Sequence, residues 1–222
     1  MSKNDKITHN ELFEKIPDLV LPLFEGVTYP WEVLPKIKEY VLSLINSGID
    51  GYKTLKEGVL IGENVKISPL CVIEPPAIIG EETEIRPGAY LRGNVIIGKK
   101  CVIGNSTEIK NSILFDHVDA PHYNYRGDII LGNGAHMGAG VIASNLKSDK
   151  TNVTVRGQES YETGLRKMGA ILGDKAEIGC GAVLNPGTII GKGASVYPLT
   201  SVRGIVPEYS IVKSQKEIIK KA

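Results

Sequence analysis

From about residue 60 onward the apolar positions keep a beat of six. An apolar residue followed by glycine occurs at Ile61-Gly62, Ile79-Gly80, Ile97-Gly98, Ile103-Gly104, Leu131-Gly132, Met137-Gly138, Leu172-Gly173, Ile178-Gly179 and Ile190-Gly191. Successive glycines in this series are 18, 18, 6, 28, 6, 35, 6 and 12 residues apart, and six of the eight spacings are multiples of six. Strands of a β-sandwich recur at roughly 8–12 residues with no fixed modulus. A fixed six-residue repeat predicts a solenoid instead, in which each repeat supplies one short strand and one turn. The apolar residue points inward and stacks on its equivalents in neighbouring coils, so a thin coil still joins a continuous core. The reading is an all-β solenoid, a parallel β-helix, over residues 56–212.

The two spacings that break the modulus mark where the repeat yields to something else. The 28-residue gap holds residues 120–128, Ala-Pro-His-Tyr-Asn-Tyr-Arg-Gly-Asp, with His122 between Tyr123 and Tyr125. The 35-residue gap holds a polar, charge-mixed stretch, predicted to be a loop extruded from the helix over about residues 145–167. Segments that leave a rigid scaffold are where binding residues gather.

Before the repeats the period is helical. Leu12, Phe13, Ile16, Leu19, Val20 and Leu23 recur at helical spacing after a candidate N-cap, Asn10, and Pro17 and Pro22 keep the pieces short. A second run puts Val33, Leu34, Ile37, Val41, Leu44 and Ile45 on one face, ending at Asn46-Ser47-Gly48. Residues 1–55 are therefore a small helical cap whose apolar face packs on the solenoid. Residues 213–222 form a tail carrying Lys213, Lys216, Lys220 and Lys221, a solvated C-terminus rather than a ligand site.

Composition narrows the function classes. A net charge of +1 gives no electrostatic case for nucleic acid or membrane. Twenty-five glycines against 6% aromatics suit tightly turned β structure better than a bulky core. Cys71, Cys101 and Cys180 are far apart with no CxxC pair, so they read as small apolar residues in a reducing compartment. There is no apolar run of about 18 residues and no signal-like start, which places the chain in the cytoplasm.

The specific stretches are Arg86-Pro87-Gly88-Ala89, Glu108-Ile109-Lys110, His122-Tyr123-Asn124-Tyr125-Arg126-Gly127-Asp128, Gly138-Ala139-Gly140 and Asn145, with Leu165-Arg166-Lys167-Met168-Gly169-Ala170 further on. Through them the region from about residue 60 to 212 resembles the left-handed β-helix acyltransferases. The likeness is to the acetyltransferase half of bifunctional glucosamine-1-phosphate acetyltransferase/N-acetylglucosamine-1-phosphate uridyltransferases, and to the C-terminal domain of archaeal sugar-1-phosphate nucleotidylyltransferases. Left-handed coils are an exception to the usual crossover rule. The resemblance implies a homotrimer with sites between subunits and direct transfer from acetyl-CoA to an amino sugar phosphate, glucosamine 1-phosphate first. It needs no metal. The Gly-rich loop of the uridyltransferase half has no counterpart in residues 1–60, so that chemistry is expected from a separate nucleotidyltransferase protein.

The resemblance also assigns roles. His122 matches the general base, and an imidazole suits the removal of an amine proton near neutral pH. Arg86, Lys110 and Lys167 match phosphate clamps, combining a guanidinium fork with point charges. Taken singly, each is a solvated residue of a β-helix face; the set gains weight from its joint match around His122. Tyr125 would shape the sugar pocket, although packing at the broken coil explains it equally, and Asn145 would hydrogen-bond the amine or a hydroxyl. Ala139 and Cys180 would flank acetyl-CoA, with a backbone N–H nearby polarising the thioester. His136 stands where the family has an asparagine contacting the sugar, Leu146 replaces a tyrosine, and Pro198 fills a small cofactor-facing position. These departures bear on which acceptor is used.

Two rivals differ in class. In a γ-carbonic-anhydrase-like protein, His117 and His122 would supply an H-x4-H zinc pair with His136 as a third ligand, but no histidine lies between His9 and His117 to complete that family's pattern. A non-catalytic trimer that senses a sugar nucleotide could retain His122, Arg86 and Lys110.

Overall fold

The computed structural model describes residues 5–214 and 217–220. Its body is an all-β solenoid, a left-handed parallel β-helix of triangular section. A first face runs from Val59–Ile61 to Ile205–Val206, a second from Lys66–Ile67 to Ser210–Ser214, and a third from Val72–Glu74 to Ser201–Val202. Antiparallel strands close the two ends: Lys53–Lys56 pairs with Val59–Ile61, and Glu217–Lys220 pairs with Ser210–Ser214. Of the C-terminal lysines, Lys216 and Lys221 lie outside the described residues.

Two kinds of strand follow from two kinds of burial. On the third face, Val72–Glu74 alternates exposed, buried, exposed, as a strand wet on one side should. On the first face, Ala77–Ile79, Val95–Ile97 and Ser112–Leu114 are buried throughout. Ile79, Ile97 and Leu114 point into the lumen, while Ile78, Ile96 and Ile113 point outward into a second core with Phe13, Phe24, Trp31, Leu34 and Val41 of the cap. Doubled aliphatics thus identify the face that the cap covers.

The cap contains the helices His9–Leu12, Leu21–Phe24 and Ile37–Ser47 and the 3-10 segment Pro30–Lys36. The first helix is capped by Thr8 rather than Asn10: Glu11 Oε2 accepts from the Thr8 N–H at 3.0 Å and from its hydroxyl at 2.7 Å. The 145–167 segment leaves the solenoid but does not project from it. Its hairpin, Thr154–Arg156 with Ser160–Glu162, folds back beside the cap. Tyr161 meets Tyr29 edge-on at 5.7 Å, and Asp5 Oδ2 accepts from the Gln158 N–H at 2.8 Å and the Tyr161 hydroxyl at 3.2 Å. Cap and loop form one layer over the first face.

The 28-residue spacing has a different cause from the one its sequence suggests. Ile97 registers with Leu114 and Leu114 with Leu131, so two successive coils have 17 residues each. The residue is lost at the corner between third and first faces, where Asn111 and Asp128 turn at φ 47° and 53°. His122 is not in the irregularity: its strand stays in register, with His122 opposite Asn105. At that shortened corner Asp128 accepts from Asn111 Nδ2 at 2.8 Å on one oxygen and from Asn145 Nδ2 at 2.6 Å on the other. A similar ladder of Asp116, Asn133 and Asp174 runs along the corner between first and second faces, where Asp174 also accepts from the cap's Glu14 N–H at 2.7 Å.

Candidate active site

The corner between second and third faces carries one residue per coil in a straight column: Asn105, His122, Ala139, Cys180 and Pro198. Backbone bonds stitch it rung to rung, from Tyr123 N–H to Asn105 carbonyl, Gly140 to His122, Gly181 to Ala139, and Leu199 to Cys180, at 2.8–3.1 Å. The next column must turn with positive φ, and Ser106, Tyr123, Gly140, Gly181 and Leu199 all do so, at 50–75°. Rungs are about 4.8 Å apart, so His122, Ala139 and Cys180 lie along about 10 Å of one edge. The His122 ring and Cys180 are exposed and Ala139 is half-buried. Gly138 has no room for a side chain, because an added Cβ would lie 2.9 Å from Cys180 N and 3.0 Å from its Sγ. The Gly140 N–H is spent on His122, whereas the Ala139 N–H has no backbone bond among the described residues.

Around the corner, the third face presents Tyr125 above Glu108 and Tyr90 in one column and Lys110 above Arg92 in the next. Arg92 donates to Glu108 at 2.6 Å and lies 5.9 Å from the Tyr90 ring centre. Burial pushes the Tyr125 hydroxyl's pKa up, and the charges of Glu108 and Asp128 add to the effect while Arg92 opposes it. An added Cβ on Gly127 would lie 2.5 Å from Asn145 Nδ2 and 2.7 Å from the Tyr125 hydroxyl, so glycine lets those two groups approach.

The structure therefore brings together His122, Ala139 and Cys180 on the edge and Lys110 and Tyr125 on the adjoining face. Arg86 lies two coils below Pro121 and its guanidinium turns to Glu84 at 3.2 Å. Arg92, outside the Arg-Pro-Gly motif, is the arginine aligned with Lys110. The signal was available as the 18-residue spacing between them. Asn145 is buried with its amide donor held by Asp128. Lys167 is exposed at the neck of the loop, where it pairs with Leu146. His136 sits on the outer second face with Nδ1 3.2 Å from Glu177 one coil above. His117 and His122 occupy opposite corners of the second face, so these imidazoles do not converge on one point, and no metal-holding cluster occurs among the described residues.

The comparisons with known proteins bear on the fold and the reaction class. The model of the GMPPB C-terminal domain matches residues 74–161. The bifunctional protein GlmU of Methanococcus maripaludis (strain S2) is 32% identical over 199 residues, covering 88% of this chain and 48% of that protein. A bifunctional sugar-1-phosphate nucleotidylyltransferase/acetyltransferase of Sulfurisphaera tokodaii is 35% identical over 98 residues, covering 43% of this chain and 24% of its own length. The chain resembles a hexapeptide-repeat acetyltransferase domain. It spans less than half the length of these relatives. Among solved structures, the Francisella novicida UDP-N-acetylglucosamine acyltransferase shares the solenoid fold at a TM-score of 0.51 and 16% identity, covering 71% of this chain and 63% of that one. No helix among the described residues is long and apolar enough to cross a membrane.

Proposed function

We propose that the chain is an acetyl-CoA-dependent N-acetyltransferase acting on an amino sugar phosphate, with glucosamine 1-phosphate the first acceptor. The observation that carries this reading is the column that sets His122 one rung below Ala139, beside a face bearing Lys110, Arg92 and Tyr125. His122 takes a proton from the acceptor's ammonium or attacking amine. The nitrogen bonds to the thioester carbonyl carbon, the C–S bond breaks, and the thiolate leaves as coenzyme A and is protonated. The Ala139 N–H, which has no backbone bond among the described residues, stabilises the developing oxyanion, with Cys180 as a small neighbour of the cofactor and not a nucleophile. Lys110 and Arg92 form the phosphate clamp, and Tyr125 borders the sugar.

The edge is convex, and a second copy of the chain completes it as a homotrimer. In that assembly Lys167, His136 and Arg86 act from a neighbouring subunit. Asn145 contributes by holding the corner through Asp128. A separate nucleotidyltransferase protein uses the product.

The test is thiol release from acetyl-CoA with glucosamine 1-phosphate, galactosamine 1-phosphate, glucosamine 6-phosphate, a nucleotide-linked amino sugar and buffer, on wild type and His122→Ala. Acceptor-dependent release that falls about 100-fold or more in His122→Ala is expected. No release above buffer with any acceptor defeats the proposal, and ligand binding without turnover points to the sensor.

A further inference from the structure

The lumen is apolar, and the buried hydroxyls that enter it are paired. Thr83, Thr107, Ser112 and Thr188 each donate to a backbone carbonyl at 2.7–3.1 Å. One coil differs. The inward column of the third face reads Ile73, Leu91, Ile109, Arg126, Ala143, Leu184 and Val202, so a guanidinium occupies a position that is aliphatic elsewhere. Arg126 is 0% exposed. Ala143 above it, and Ala120 where the coil below has Ile103, thin the lining around it.

Hydrogen-bond accounting leaves three groups over. Arg126 Nη2 reaches the Asp119 carbonyl at 3.4 Å, but its Nε and Nη1 have no partner in the protein. Asn124, two residues earlier and facing the same way, donates from Nδ2 to the Gly138 carbonyl at 2.7 Å, and its Oδ1 is unpaired. Among the described residues no carboxylate enters the lumen to balance the charge: Asp128 and Asp174, the buried acids there, sit at corners with their oxygens engaged. Burial pulls the Arg126 pKa down to about 9, with the Cys101 thiol and the Asp119 carboxylate pulling weakly the other way, so it still carries its charge at neutral pH. A buried cation with no carboxylate bonded to it and two donors unpaired is strongly unfavourable.

We propose that the lumen at this coil binds a small monovalent anion of the halide class, held by Arg126 Nε and Nη1 and linked through one water to Asn124 Oδ1. The anion accepts from both donors. The water donates one hydrogen to Asn124 and the other to the anion, so all three groups are satisfied and the charge is neutralised. A phosphate or sulfate would need more donors than this lining offers. The solenoid wall encloses the site, so the anion enters as the coil closes and its binding is coupled to folding.

The full chain is unfolded by urea in sodium chloride and in sodium gluconate at equal ionic strength. In wild type, a tenfold rise in chloride at the expense of gluconate should raise the folded-to-unfolded ratio several-fold, towards a limit of about tenfold. Arg126→Met should show no such response. Crystals grown in bromide should show an anomalous peak within hydrogen-bonding reach of Arg126 Nη1. Absence of that peak overturns the proposal whatever the salts do. Equal wild-type stability in both salts, or an equal chloride response in Arg126→Met, also overturns it, the latter assigning the effect to surface ions. Should Arg126→Met not fold, the bromide map of the wild type decides.

Discussion

Asp128 shows how much can depend on one side chain at a shortened corner. Losing a residue there brings Asn111, Asp128 and Asn145 within bonding distance on successive rungs, and the carboxylate accepts one amide on each oxygen. Asp128→Asn keeps shape but turns one acceptor into a donor that must face an amide donor. That change should cost about 1–3 kcal/mol in urea unfolding, the cost of leaving a buried polar group unpaired, and a cost below about 0.5 kcal/mol would mean the corner relaxes around it. Gly127→Ala tests the neighbouring contact. A methyl pressed against the Tyr125 hydroxyl and the Asn145 amide should raise the KM for the sugar phosphate more than it lowers kcat. An unchanged KM would remove Tyr125 from the acceptor site. His122, Tyr125 and Lys110 were singled out in the sequence by the family resemblance, and the solenoid sets them on one edge and its adjoining face. Arg92 was open to the same reading through its 18-residue spacing to Lys110, whereas the tie on Asn145 was not, because it depends on which residues share a column once two 17-residue coils have shifted the register.

At the scale of elements, the six-residue beat was sufficient for the solenoid because each coil repeats the same local burial. It was insufficient for the loop. A polar run with hairpin-like Val-Thr-Val and Ser-Tyr-Glu strands reads as solvent-facing until the first face's second aliphatic stripe is recognised as needing cover. Ile171 and Ile189 on that stripe lie in the same core as Val153, Val155 and Met168 of the loop. The N-terminal segment locks this cover from outside, through Asp5 on Gln158 and Tyr161. Asp5→Ala removes the acceptor from a backbone N–H and a hydroxyl together. Amide exchange over residues 154–162 should then speed up by about tenfold, equivalent to about 1.4 kcal/mol of local opening, while the lumen strands are unaffected. Exchange that accelerates along the whole solenoid would instead mean that the cap, loop and helix open as one unit.

For the whole molecule, the continuous lumen makes Arg126 a global liability, because each coil is held only by its neighbours. Filling the position with Met restores the aliphatic column, and replacing a buried charge with an apolar side chain of similar length is often neutral or stabilising by about 1–4 kcal/mol. The dependence on pH separates a charge effect from a packing effect. Burial lowers the Arg126 pKa from the ordinary guanidinium range to about 9 in the folded protein. Between those values the unfolded chain binds more protons than the folded one, so folding stability rises with pH there. The cost of the cation is fully present below about pH 9 and is relieved above it. In gluconate, the advantage of Arg126→Met over wild type should therefore be constant from pH 7 to about 8.5, then shrink by up to about 1.4 kcal/mol for each further pH unit. Subtracting the variant cancels the lysines and exposed tyrosines that titrate in the same range. An advantage that holds steady to pH 10.5 would mean that the guanidinium keeps its proton across that range, leaving the chloride response and the bromide map to separate charge from shape.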